Sequence, residues 1–425
     1  MPNVISIAEH GVIGNERDHS GAPTDVVLVA DTTFQALRHL AFDSEGIDTL
    51  LTFFVQKGRE YIRVKNYVGL LTLVDGTQLE ITPKVTDGAG GRAILFTMLR
   101  YLRHSPFRLL GTAWTSAIQL PVWEVFISTF LDTLESLVRQ GLQQTYVSVE
   151  RNERYLRGKF QPARQQRENS LHAERMAVIH DTLTADVAPN RLVKTALCYV
   201  QPLTQNLAIH GRIRQFLWAL ADVPVSESVT ADLNAVQRMS RLFDRYKPAL
   251  WWAEALLIGK GYGVNTGRTN DLSLLFPIGR VFEDYVAHGI RSYWPEAGIV
   301  TVQESSAHLV DEHVGAPKFK LRPDIIIRQS GRTFVLDTKW KQLYGHDRSG
   351  NYGIDQTDLY QLYAYGKKYQ ADELFLIYPA NETFHKPLAV FGYDTDTRLH
   401  VVPFDLTTPL AKEVEMLASY ALSFQ

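Results

Sequence analysis

The sequence predicts a mixed α+β / α/β multidomain protein. It divides into a β-rich N-terminal domain over 1–90, a mainly helical middle region over 91–265 and a C-terminal αβββαβ core over 266–425. Three observations predict this. Short apolar runs separated by turn residues fill 25–85. Apolar positions at helical spacing dominate 92–258. Beyond the glycine-rich stretch 259–269, where the last domain boundary is placed, the order becomes helix, three strands, helix, strand.

In the first region, 26–30, 50–56, 61–64 and 70–74 read as strands, with a helix at 32–42. Asp75-Gly76 signals a hairpin, because glycine tolerates the positive φ of a tight turn. The return strand is 79–82, stopped by Pro83, and 87–91 (DGAGG) is a break. Helices follow at 92–104, with Ile94, Leu95, Met98, Leu99 and Leu102 on one face, and at 121–140, where Pro121 suits the first turn. A short strand is expected at 146–149, then helices at 190–219 and 230–258. In the last region 271–294 reads as a helix interrupted at Pro277. Strands follow at 299–305, 319–328 and 333–341, a polar loop at 344–354, a helix at 355–369 and a strand at 373–378.

Composition narrows the function classes. The chain has 425 residues, 44 Lys and Arg against 46 Asp and Glu, and a formal net charge of −2. That excludes a histone-like polycation but leaves room for a local nucleic-acid surface. The stretch 151–175 is such a candidate, with seven basic residues, Arg151 to Arg175, against Glu153, Glu168 and Glu174; a solvated face accounts for it at least as well. Cys198 is the only cysteine, so an intrachain disulfide and a cysteine-based zinc cluster are excluded. The first residues lack the basic start and apolar core of a signal peptide. No stretch approaches about 18 uninterrupted apolar residues. A soluble, cytoplasmic protein with no membrane association is expected.

The chemistry concentrates in the last region. Asp324 opens the strand DIIIR and Asp337 ends TFVLD, with a turn at Ser330-Gly331 between them. A hairpin centred on that turn sets Asp324 opposite Asp337 on one face. Lys339, two residues on, shares that face, and Thr338 points away. Charges set among Ile325–Ile327 and Phe334–Leu336 are costly unless paired or bound to a metal. A hard divalent cation such as Mg2+ resolves this, with Asp324 and Asp337 as ligands and Glu283, on the preceding helix, as a further carboxylate. Lys339 would then polarise water and steady a phosphate transition state, which suits metal-assisted phosphodiester hydrolysis. Gln361 and Tyr365, four apart on the following helix, face one way and can brace the site. Taken singly, Asp-x-Lys is common, Glu283 is an ordinary helix residue, and Asp324 with Lys339 could be a structural ion pair.

The set Glu283, Pro323-Asp324, Asp337-Thr338-Lys339 and Gln361-x-x-x-Tyr365 resembles the PD-(D/E)xK nuclease superfamily. The chain looks more narrowly like the McrC family, the nuclease subunits of McrBC modification-dependent restriction systems. Residues 66–85 (NYVGLLTLVDGTQLEITPKV), 155–160 (YLRGKF) and 190–197 (NRLVKTAL) also look like family segments, so the likeness covers most of the chain from about residue 50. The resemblance implies a restriction-endonuclease-like core and a Mg2+-dependent DNA endonuclease. Asp324, Asp337 and Lys339 would be catalytic, with Glu283, Gln361 and Tyr365 in support. It implies modified DNA as substrate and a McrB-like AAA+ GTPase hexamer as partner, engaged and stimulated by the N-terminal part. The absence of G-x-x-x-x-G-K-[ST] from this sequence agrees with nucleotide hydrolysis residing in a partner. Two other readings stand beside it. One is a non-catalytic activator of an AAA+ partner with a vestigial site; the other is a self-sufficient repair nuclease.

Overall fold

The structure, a computed structural model, describes residues 3–18, 26–43, 50–84, 89–102, 120–239, 241–258, 273–295, 298–393 and 397–423. The glycine-rich boundary at 259–269 and part of the break at 87–91 lie outside the described residues. The chain is mixed α/β and forms two compact units. One is built from both ends, Met1–Arg108 and Gly261–Gln425 with Trp114–Ile118; the other is Gln119–Lys260 with Leu109–Ala113. The segments read as first and last domains therefore share one unit.

The N-terminal segment contains β1 (Val4–Ala8), β2 (Val12–Asn15), β3 (Val26–Val29), α1 (Asp31–Asp43), β4 (Leu51–Gln56), β5 (Arg59–Val64), β6 (Tyr67–Thr72), β7 (Gln78–Thr82) and α2 (Ala89–Leu99). One sheet runs β3-β2-β5-β4. The hairpin at Asp75-Gly76 forms as the dipeptide predicts: Gly76 has φ +80°, and the Asp75 carboxylate accepts from Thr77 N–H at 2.9 Å. Buried Ile7, Ile13, Phe34, Leu37, Ile62, Leu79 and Ile81 share one core.

The second unit holds α3 (Val122–Arg139), β8 (Thr145–Glu153), β9 (Lys159–Phe160), α4 (Pro162–Glu168), β10 (Met176–Thr184), α5 (Ala188–Val200), α6 (Leu207–Ala219), α7 (Val229–Gln237) and α8 (Lys247–Ile258). The expected long helices are each broken. Asn206 caps α6 by accepting from Ala208 N–H and Ile209 N–H, and a 3-10 turn, Arg241–Tyr246, separates α7 from α8. Three strands form a sheet in the order β8-β10-β9; the end of β8, β9 and α4 take up part of the charged stretch 151–175. The segment NRLVKTAL turns out to be a clasp. Buried Asn190 donates to Gln143 O and Ala185 O at 3.0 and 2.7 Å and accepts from Tyr246 Oη at 2.7 Å. Arg191 grips Asp232 with two nitrogens. Lys194 Nζ donates to the carbonyls of Leu220 and Val223, just past the end of α6, where a cation meets the negative helix terminus.

Back in the first unit, β11 (Ser273–Pro277) precedes α9 (Ile278–Tyr293), so the helix expected over 271–294 starts only at 278. Pro277 cannot continue a helix from its N-terminal side but can end a strand, and β11 pairs antiparallel with β6. The N-terminal sheet is thus β1-β7-β6-β11, closed by residues some 200 positions downstream. The remaining elements are β12 (Ile299–Val302), β13 (His308–His313), β14 (Ala316–Lys320), β15 (Ile325–Gln329), β16 (Arg332–Thr338), α10 (Gln356–Tyr369), β17 (Glu373–Pro379), β18 (Phe391–Gly392), β19 (Arg398–Phe404) and α11 (Leu410–Leu422). The strand expected at 319–328 is two strands split at Pro323, and β14 pairs with β13 in a separate hairpin. The main sheet runs β12-β15-β16-β17-β19-β18. β16, β17 and β19 are mutually parallel, and every residue of β17 is buried, as expected of a strand covered on both faces.

The β6–β11 junction offers a test of the fold. Gly69 has φ +124°, and a Cβ there would stand 2.1 Å from Leu274 O. Gly69→Ala should cost about 2–4 kcal/mol through strain and lost pairing, read as a lower midpoint in urea denaturation. A midpoint unchanged from the parent would contradict the pairing.

Candidate active site

The antiparallel pairing of β15 with β16 sets Ile325 opposite Leu336 and Ile326 opposite Val335. This is the register the turn at Ser330-Gly331 implies, so Asp324 and Asp337 come together at the same end of the hairpin. Lys339, one residue past β16, still donates its N–H to Ile377 O on β17 at 2.9 Å. A cleft of about 310 Å3 opens there, lined by Glu283, Arg322, Asp324, Asp337, Thr338, Lys339, Trp340 and Gln361 among others.

Five of the six residues singled out from the sequence fall in one network, and the sixth, Asp324, lines the same cleft. Lys339 Nζ lies 2.5 Å from Asp337 Oδ2 and donates to Gln361 Oε1 at 3.1 Å. Gln361 Nε2 is 2.8 Å from Tyr365 Oη, and Tyr365 Oη donates to Arg322 O at 3.2 Å. Glu283 rides on α9, whose apolar residues Val281, Phe282, Val286 and Ile290 are buried. Its carboxylate accepts from Gln303 Nε2 at 2.6 Å and from Arg280 at 3.2 Å, and Gln303 Oε1 accepts from Arg322 at 2.8 Å.

Thr338 corrects the strand-alternation reading. Its N–H and its hydroxyl both donate to Asp324 Oδ2 at 2.7 Å. Because β16 ends at Thr338 and Asp324 precedes β15, the carboxylate reaches over the strand end and strict alternation no longer governs it. Thr338, Arg322, Gln303 and Asp358, the last 3.8 Å from Lys339 Nζ, escape a sequence reading because each acts through a tertiary contact. Only the position of Thr338 inside the Asp-Thr-Lys triplet could have drawn attention to it.

Electrostatically the cleft holds too much negative charge for its solvent. Burial and the neighbouring Asp337 push Asp324 up to about 7, against the pull of the Thr338 donors. Burial also raises Asp337, with Lys339 opposing and Asp358 and Glu283 adding to the shift. Glu283 is raised by burial and then by Asp324. Burial alone would lower Lys339, but Asp337, Asp324 and Asp358 outweigh it, so its direction is upward and it stays an ammonium at neutral pH. One ammonium thus serves Asp324 and Asp337, while Glu283 has Arg280 beside it.

That surplus suits a hard cation. Among the described residues no three acidic, histidine or cysteine side chains are already gathered into a metal cage. Mg2+ does not require one, since it is commonly held by one or two carboxylates and keeps several waters. Asp324 and Asp337 fit that description, with Glu283 nearby.

A family profile described as McrBC 5-methylcytosine restriction system component matches residues 62–379, well over half of the chain. No curated protein matches. Among solved structures, the chain is similar to one from Thermococcus gammatolerans, described as a refined half-complex from a tetradecameric assembly of McrB AAA+ hexamers with bound McrC. The TM-score is 0.71 at 18% identity, covering 99% of this chain and 100% of that one. It is also similar to a chain of the cryo-EM structure of the Thermococcus gammatolerans McrBC complex, with TM-score 0.50 and 19% identity over 69% and 89% of the two chains. At these identities the likeness is one of fold.

The charge surplus has a measurable consequence. With its folded pKa above its unfolded one, Asp324 keeps its proton longer in the folded chain, so it weakens the fold as pH rises between about 4 and 7. In EDTA, Asp324→Asn should therefore gain stability over the parent across that window and hold the gain above it. Urea midpoints measured at pH 4.5, 6 and 7.5 check this, and a constant difference between the two proteins would contradict it.

Proposed function

The chain belongs to the McrBC 5-methylcytosine restriction system component family, and on that footing we propose that it is the DNA-cleaving subunit of a modification-dependent restriction complex. The observation that carries the reading is the meeting of Asp324, Asp337 and Lys339 at one end of the β15–β16 hairpin, inside an open cleft. The order α9, β12, β15, β16, α10, β17 supports a restriction-endonuclease-like core. Its substrate is modified DNA, and its partner is a McrB-like AAA+ GTPase hexamer; the fold shared with the bound McrC of Thermococcus gammatolerans supports that partner.

In this reading Asp324 and Asp337 hold Mg2+, with Glu283 as an outer carboxylate. When bound, the ion supplies a Lewis acid for the phosphoryl oxygen and a water of lowered pKa. The chain's own residues do the rest. Lys339 is charged, so it acts as a hydrogen-bond donor that steadies negative charge growing on the phosphate and leaving oxygen. Gln361 aims that ammonium, and Tyr365 fixes Gln361 by bonding both its amide and the Arg322 backbone. Thr338 turns Asp324 Oδ2 into the strand end, which leaves Oδ1 for the cleft. The intact acid–lysine set also favours an active site over a vestigial one.

Asp337→Ala or Lys339→Ala should lower Mg2+-dependent cleavage of modified DNA at least about 100-fold while leaving stimulation of the partner's nucleotide hydrolysis intact. A nicking assay with purified partner, nucleotide and Mg2+ reads the first, and phosphate release reads the second. Parent-level cleavage in both variants would refute the proposal. Mg2+ should also raise the melting temperature of the parent and not that of Asp324→Asn, by mass action on the folded state alone.

A further inference from the structure

Glu9 is a buried acid outside the cleft that the chemistry above does not use. Its backbone is pinned on two sides: Glu9 N–H donates to Thr82 O at 2.8 Å, and His10 N–H donates to Val64 O at 3.0 Å. The residue is 2% exposed. Its Oε1 accepts from the Trp340 indole N–H at 2.6 Å and from Lys84 N–H at 3.2 Å, while Oε2 finds no hydrogen-bond partner among the described residues. A buried carboxyl with half of its acceptor capacity unused is costly. For stability alone, an apolar pair of similar volume would serve as well or better.

Trp340 is the neighbour of Lys339, and its ring packs edge-on against Phe282, the neighbour of Glu283, at 5.3 Å between centroids. It lines the acid cleft. It also lines a second cleft of about 230 Å3, shared with Glu9, His10, Lys84 and Lys341. Trp340 thus lines both clefts; it follows Lys339 in the chain, and its ring meets the neighbour of Glu283. Past the Lys339 N–H bond to β17, the side chain of Trp340 is the next tie at this end of the strand.

We infer that Glu9 is a positioning residue for the acid–lysine centre, acting through the Trp340 ring. The inference rests on the nuclease reading for the activity that is tuned, but the contact itself does not. Displacement of reacting groups by about an ångström can cost on the order of 100-fold in rate, so a loosened Trp340 should act on kcat and leave KM unchanged.

The test uses the full chain with its AAA+ partner and modified DNA. Glu9→Ala should lower kcat about 10-fold, whereas Glu9→Gln, whose amide oxygen still accepts from the indole, should keep it. Trp340→Phe removes the same bond from the other end and should match Glu9→Ala, and the double variant should be no worse than either single one. A second readout needs no cleavage. In chain labelled with 5-fluorotryptophan, the fluorine resonance missing from Trp340→Phe belongs to Trp340; it should move in Glu9→Ala and stay in Glu9→Gln. Full kcat in Glu9→Ala, losses that add in the double variant, or an unmoved Trp340 resonance would each overturn the inference. If Glu9→Ala does not fold, Trp340→Phe decides, and full kcat there overturns it. A parent chain that cuts nothing would sink the nuclease reading, while the fluorine signal would still decide the contact.

Discussion

Ion pairing between Asp337 and Lys339, 2.5 Å apart at the end of a buried hairpin, is the constraint around which the candidate site is arranged. Two carboxylates set among isoleucine, valine and phenylalanine lose most of their water, and a single ammonium cannot compensate them both. The surroundings act as two arms on this imbalance. One runs through Gln361 and Tyr365 to the Arg322 backbone and aims the ammonium. The other runs through Arg322 and Gln303 to Glu283 and fixes the third acid. Thr338 closes the strand end on Asp324. Lys339, Gln361 and Glu283 each make more than one of these contacts, which helps an electrostatically strained site keep its shape.

Such strain needs a stiff support. The three parallel strands β16, β17 and β19 provide it, with Leu374, Leu376, Tyr378 and Val401 in the core beside Leu362 and Tyr365 of α10. The helix that delivers Gln361 to the ammonium is therefore packed on the strands that deliver Asp337. The second unit shows the same economy in another setting. Part of its basic stretch is internally paired, with Arg164 against Glu168 and Glu150 and Arg175 near Glu174. Arg151, Arg154, Arg157 and Lys159 stay exposed.

Much of the segment that carries the candidate site could be read from residues alone, because its signals are local. The Ser330-Gly331 turn fixes a register, the strand period places Lys339 beside Asp337, and the four-residue spacing sets Gln361 and Tyr365 on one helix face. What escaped the sequence depends on distant partners. Residues 273–277 look helical next to α9 and become a strand only because β6 offers an edge. Thr338 turns toward Asp324 because the strand stops there. The Glu9–Trp340 bond joins positions 331 residues apart, and no local pattern announces it. The β13–β14 hairpin, β19 and α11 also went unread, their short or mixed runs giving no clear period.

The strand Ser273–Pro277 has a consequence for how the protein is made. The ribosome delivers β6 long before it delivers β11, and at about 5–20 residues per second the interval is roughly 10–40 s. During that time the nascent chain carries an open β6 edge rich in Val68, Leu70 and Leu71, the kind of surface that recruits stray strands. Completion of the N-terminal sheet also coincides with emergence of the polypeptide that begins the segment carrying the candidate site. Birth of the one is thereby timed to birth of the other, and a message truncated before codon 273 would yield an N-terminal sheet that can never be finished.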